Sequence, residues 1–111
     1  MNLLNQITSN PDTIAFADVI AYIDTNFNFT PTRFTNGDTV NEAGQNNGSC
    51  KIFSFAKLQN LTKDHTLALF GDYYRKDVIE NPEGTDHQNI RNFMQSGWDG
   101  IKFEGEALSE K

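Results

Sequence analysis

Two residue types in this chain could carry covalent or proton-transfer chemistry, a single cysteine, Cys50, and two histidines, His65 and His87. Cys50 follows Gly48-Ser49, where a polar loop gives way to the apolar run Ile52-Phe53-Ser54-Phe55. If Ser49 caps a helix there, Cys50 falls at its first position. The positive end of the helix dipole and Lys51 would then favour a thiolate. A thiol nucleophile also needs a base, and His87, preceded by Asp86, is the better placed candidate. Cys50 with His87 therefore reads as a thiol-dependent hydrolase or transferase pair. The plainer explanation is that a lone cysteine in a small protein fills apolar space.

A second constellation is Tyr73-Tyr74-Arg75 with Arg91. His87 and Arg91 are four residues apart, so on a helix they share a face. Were Arg75 to join them, Tyr74, Arg75 and Arg91 would make a ligand or anion site. The competing explanation pairs these arginines with Asp72, Asp77 or Asp86 as structural ties. Cys50, His65 and His87 lack the close spacing of a zinc site, so no metal is expected. Neither a Walker pattern nor Gly-x-Gly-x-x-Gly occurs, so no nucleotide cofactor is expected.

These residues must be positioned by short elements. Asn10-Pro11-Asp12 reads as a helix start, and Phe16, Ile20, Ile23 and Phe27 form one stripe, predicting a helix over 12–26. Pro31 marks an edge or the start of a strand, predicted near 32–35. Asn36-Gly37 predicts a hairpin turn over 36–38, with a return strand over 39–42. A central helix follows over 50–61, apolar around most of its circumference, with a buried strand over 51–56 as the competing reading, since Ile52-Phe53-Ser54-Phe55 would also suit one. Thr62 caps a helix over 63–80, with Gly71 inside it where a close neighbour would explain a glycine. Thr85 and Gln88 resemble a capping box for a helix over 86–96, and Gly97 ends it. Ile101 and Phe103 alternate with Lys102 and Glu104 as a half-buried strand, and 105–111 reads as tail. Trp98 reads as a core plug between the last helix and this strand.

The chain has 111 residues and a formal net charge of −6. That length fits a single domain, 1–111. The acidic balance argues against nucleic acid and anionic membranes as partners. No apolar run approaches the ~20 residues of a membrane span, and no secretory signal is legible at the N-terminus. One cysteine suits a reducing compartment. Nine phenylalanines make a ring-rich core feasible.

Several motifs occur together in one order. They are Thr30-Pro31 with Phe34 and Asn36-Gly37, Gly48-Ser49-Cys50-Lys51, Phe70-Gly71-Asp72-Tyr73-Tyr74-Arg75, Asp86-His87-Gln88-Asn89-Ile90-Arg91, and Gly97-Trp98. With them the chain resembles the HopJ type III effector family from about residue 12 to 108. The resemblance implies a bacterial protein, residing in the cytoplasm and exported by type III secretion. It implies no agreed activity and assigns no residue a role.

The expectation is an α+β fold, with three to four helices packed on a small antiparallel sheet of the hairpin plus the C-terminal strand. The function expected is an interaction module with a protein partner, with thiol chemistry at Cys50 and His87 as the alternative. Convergence of Cys50, His87 and Arg75 on one cleft would favour the enzyme; dispersal would favour binding.

Overall fold

A computed structural model describes residues 3–111. Its order is α1 (Leu3–Ser9), α2 (Phe16–Asn26), β1 (Phe27–Phe29), β2 (Phe34–Asn36), β3 (Thr39–Asn41), α3 (Asn47–Leu58), α4 (Lys63–Ala68), a π-helical turn (Tyr73–Val78), α5 (Gln88–Ser96), β4 (Ile101–Phe103) and β5 (Leu108–Glu110). The fold is α+β as expected. The helical content is cut into more segments than the stripes suggest.

The strands form two antiparallel sheets, β1-β5 and β3-β2-β4. They belong to one long ribbon. Segment 26–37 runs against 100–111 in a single register, from Asn26 opposite Lys111 to Gly37 opposite Gly100. Pairing lapses at Pro31-Thr32, where proline has no N–H to give. Before the lapse Thr30 donates to Ala107; after it Glu104 donates to Arg33. The bonded positions thus change from even to odd along the first strand. That shift of phase lets Phe27 and Phe34 both face the core. Two expectations are corrected here. β2 is a central strand between β3 and β4, because the chain's last segment covers the edge that Pro31 seemed to leave open. The supposed tail at 105–111 contains β5, and its two buried apolar residues, Ala107 just before the strand and Leu108 within it, show no period long enough to read. The hairpin itself turns at Gly37-Asp38 as predicted, with Gly37 at φ +60°.

α3 is the central helix. Ile52, Phe53, Ser54, Phe55 and Ala56 are all buried. Phe53 meets the rings of Phe34, Phe70, Phe93 and Trp98 at 4.9–6.4 Å between centroids. Such a hub residue, cut to alanine, would cost about 3–5 kcal/mol. Trp98 plugs the α5–β4 junction, and its Nε1 donates to the Leu61 carbonyl at 3.0 Å.

Two helices that the sequence reading makes continuous are broken. The 12–26 helix splits into a 3-10 turn at Pro11–Thr13 and α2, because Ile14 is extended and buried between them. The 63–80 helix breaks at Gly71, which takes φ +60°. A Cβ there would lie 2.8 Å from the Phe16 nitrogen and 3.1 Å from the Ile14 oxygen. The close neighbour expected at Gly71 is therefore backbone. Thr62 does cap α4, accepting from the His65 N–H at 3.1 Å.

Candidate functional site

α3 starts three residues earlier than its pattern suggests. Its N-cap is Asn46, at φ +51° in the left-handed region that asparagine tolerates better than most residues. Ser49 is therefore not the cap, and Cys50 is the fourth helical residue rather than the first. Its N–H is already spent on the Asn46 carbonyl. Cys50 is 1% exposed. Burial pushes its thiol above the ordinary value, and the Thr32 backbone and the Ser54 hydroxyl pull the other way without cancelling that rise. The dipole argument for a thiolate thus fails at this position, because removal from water penalises the charged form.

α5 starts two residues later than the Thr85 capping box requires. His87 occupies the N-cap, at φ +50°, and Gln88 Nε2 donates to the Thr85 carbonyl at 2.8 Å. The His87 ring sits 5.2 Å from the Tyr73 ring. His87 Nε2 lies 3.1 Å from Asp77 Oδ2 and 3.8 Å from Asp86 Oδ2. A carboxylate only accepts, so Nε2 carries the proton in the closer pair.

The starts of α3 and α5 face a shared cleft of about 340 Å³. Asn46, Gly48 and Ser49 line one side, and His87, Gln88 and Asn89 the other. Phe16, Phe70 and Tyr73 contribute rings. Neither helix start is capped by a side chain. Gly48 is required by the Phe16 ring, whose Cζ would lie 2.9 Å from an added Cβ.

A buried amide network holds the two starts together. Asn41 and Asn89 exchange side-chain hydrogen bonds at 2.9 and 3.0 Å. Asn46 Nδ2 donates to Asn41 Oδ1 at 2.6 Å. Asn36 Nδ2 donates to the Asn89 carbonyl at 2.7 Å, and Asn92 Nδ2 to the Asn36 carbonyl at 3.0 Å. Asn36 and Asn41 are fully buried. The hairpin is thus the clamp between α3 and α5. Sequence reasoning missed this role. The recurrence of asparagine at 36, 41, 46, 89 and 92 was the available signal, but turn chemistry explains most of those positions equally well.

The arginines lie elsewhere. Arg75 donates to the carbonyls of Pro11 and Ile14 at 3.2 and 2.7 Å, tying the π-helical turn to the extended Ile14. Arg91 donates to the Asp86 carboxylate at 2.6 Å and to the Asn81 carbonyl at 2.8 Å, closing the loop before α5. That hydrogen bond from Arg91 holds the Asp86 carboxyl below its ordinary value. Tyr74 is half-buried, and burial, helped by the Asp64 charge, raises its phenol. Tyr73, not Tyr74, faces the cleft. Cys50 and Arg75 are not among the residues lining it, so Cys50, His87 and Arg75 are dispersed. Among the described residues no cluster of three His, Cys, Asp or Glu could hold a metal ion, and no helix is long and apolar enough to cross a membrane.

No curated protein matches the chain. Among solved structures, the crystal structure of the unknown function protein VPA0580 is similar over 97% of this chain and 90% of its own, at 55% identity and a TM-score of 0.96. A family model for the HopJ type III effector protein matches residues 1–108. The chain belongs to the HopJ type III effector protein family.

Proposed function

We propose that the chain is a non-catalytic interaction module, made in the bacterial cytoplasm and exported by type III secretion, that receives a protein partner in the α3–α5 cleft. The observation that carries this reading is the pairing of two helix starts without side-chain caps across one ring-walled cleft. Free N–H groups at helix starts suit an acidic group. The Phe16 and Tyr73 rings suit an apolar neighbour of that group. The partner class is therefore a protein segment with a carboxylate beside an apolar side chain. No cofactor enters this reading. The thiol-dependent alternative, Cys50 with His87, has no geometry in its favour, since the thiol is sealed away from the cleft that His87 lines.

The test is an amide-resolved NMR titration with a short peptide ending Leu-Phe as free acid, and the same peptide as its amide. Shifts at Gly48, Ser49, Gln88 and Asn89 with the acid alone support the proposal. Equal shifts with both peptides remove the carboxylate from it, and no shift at these amides removes the cleft. Gly48→Ala, which drives a methyl group into Phe16, should abolish the response in a protein that still folds. Export is tested separately, with a translocation reporter fused to the C-terminus in strains with and without a working type III apparatus.

A further inference from the structure

The ribbon has one covered edge and one open edge. In 100–104, the residues in phase with Gly100 and Glu104 bond toward the 33–37 stretch. Ile101 and Phe103 lie in the opposite phase, so their N–H and C=O groups turn away from β2; the Ile101 N–H is given to the Trp98 carbonyl, which leaves its C=O and both groups of Phe103 along the edge. β4 is also the last strand of its sheet. Lys102 and Glu104 are exposed beside that edge, and Glu104 is already paired with Arg33. Phe103 is only partly buried, stacked on Phe34 at 5.1 Å with Lys57 Nζ 5.8 Å over its ring.

An exposed edge strand is a template for another strand, and a lysine on it ordinarily deters pairing. Here charge selects one arrangement. A second copy approaching by a two-fold axis can centre on Lys102, Phe103 or Glu104. Centring on Lys102 or Glu104 sets like charges directly opposite, which is destabilising. Centring on Phe103 sets Lys102 opposite the second copy's Glu104, twice over by symmetry. The same register gives Phe103 a hydrogen-bonded pairing with its counterpart, in phase with its outward backbone groups. Ile101 then faces Gly105, which leaves room for it. The two-fold also doubles the Arg33–Glu104 pair into a run of Arg33, Glu104 and the second copy's Lys102.

We infer that two copies of this chain associate edge to edge through β4, in the antiparallel register centred on Phe103. This surface is separate from the α3–α5 cleft, so the two readings stand or fall independently. The interface is short, and the association is weak and concentration-dependent.

The test is analytical ultracentrifugation of the full chain over about 5–500 μM at physiological salt, a range suited to a small interface. The wild type should show a reversible monomer–dimer equilibrium. Lys102→Glu and Glu104→Lys should each raise the dimer dissociation constant about tenfold or more, by setting like charges opposite. An equal mixture of the two variants should restore it, because each heterodimer then holds only opposite pairs. Amide exchange gives a second readout. The Phe103 N–H should gain protection as concentration rises, while the Lys102 N–H, already bonded within the ribbon, should not change. A monomer throughout, a dimer indifferent to both substitutions, or a mixture that fails to recover would each overturn the inference. Melting curves of both variants confirm that exposed substitutions have left the fold intact.

Discussion

The Cys50 thiol donates to the Thr32 carbonyl oxygen, with Sγ 3.8 Å away. Thr32 sits where the long ribbon loses its pairing, so the thiol supplies a partner to a carbonyl there. The bond is weak, as thiol donors are, but its place explains why a polarisable, small and mildly polar side chain stands there. Cys50 serves the ribbon rather than the cleft.

Cys50 should resist alkylation in the native state and react at the free-thiol rate once unfolded, measured with a chromogenic disulfide with and without denaturant. Its pKa is raised by folding. The stability from the buried neutral thiol is complete below the unfolded value of about 8.5. It is lost as pH rises above that value toward the folded one, because only the unfolded chain then releases the proton. Urea midpoints at pH 7 and pH 10 should fall more for the wild type than for Cys50→Ala, which itself costs about 1–2 kcal/mol at pH 7.

Gly71→Ala should destabilise the protein by about 2 kcal/mol or more, combining a positive φ with a clash against fixed backbone. The neighbouring atoms are the Phe16 nitrogen and the Ile14 oxygen, which cannot swing aside as a side chain can. Gly44, also at positive φ but with nothing within 4 Å, is the control, and its alanine variant should cost clearly less in the same denaturation series.

Asn41→Ala should cost about 2–4 kcal/mol by stranding the Asn89 amide in the interior and releasing the Asn46 side chain. Asn41 carries hydrogen bonds to both. The same variant should broaden or shift the amide resonances at the starts of α3 and α5 together. Changes confined to the hairpin would show that the amide network does not couple the two helices.

Asp86 has its pKa lowered in the fold, first by the Arg91 hydrogen bond. Its contribution is therefore complete above the unfolded value of about 3.9, and is lost as pH falls below that toward the depressed folded value. Asp86 itself is exposed, so the effect is modest. Thermal melts of the wild type and Asp86→Asn should differ at pH 7, and the difference should shrink as pH falls below the unfolded value. A difference that persists undiminished at low pH would assign the role to shape instead of charge.

Much of the fold was legible because local patterns were strong. The apolar run Ile52 to Ala56 announced a central helix, Asn36-Gly37 a hairpin, Thr62 a cap, and Ile101-Lys102-Phe103 a strand facing the hairpin. Helix starts were read less well. At Asn46 and His87 the chain enters a helix from positive φ, a conformation that neighbours impose and that no capping pattern announces. β1 and β5 were illegible because Phe27 continues the apolar stripe of the preceding helix and Ala107-Leu108 do not alternate, and each strand exists only because the other is opposite it.

For the candidate site the division is sharper. The residue types were fixed by sequence: one thiol, two imidazoles, three relevant arginines and tyrosines, and a family membership carried by motifs in order. Which of them meet was not. Position along a helix sets a dipole's effect on a thiol only if the helix begins where it is thought to, and a three-residue earlier start buried Cys50 instead. Arg75 and Arg91 could serve a ligand or a backbone equally well by their chemistry. The carbonyls of Pro11, Ile14 and Asn81 claimed them, since a buried or turn-bound carbonyl needs a donor wherever the tertiary fold leaves one unpaired. Composition and motif thus settled the class of molecule, and long-range packing alone settled which side chains remained to face the cleft.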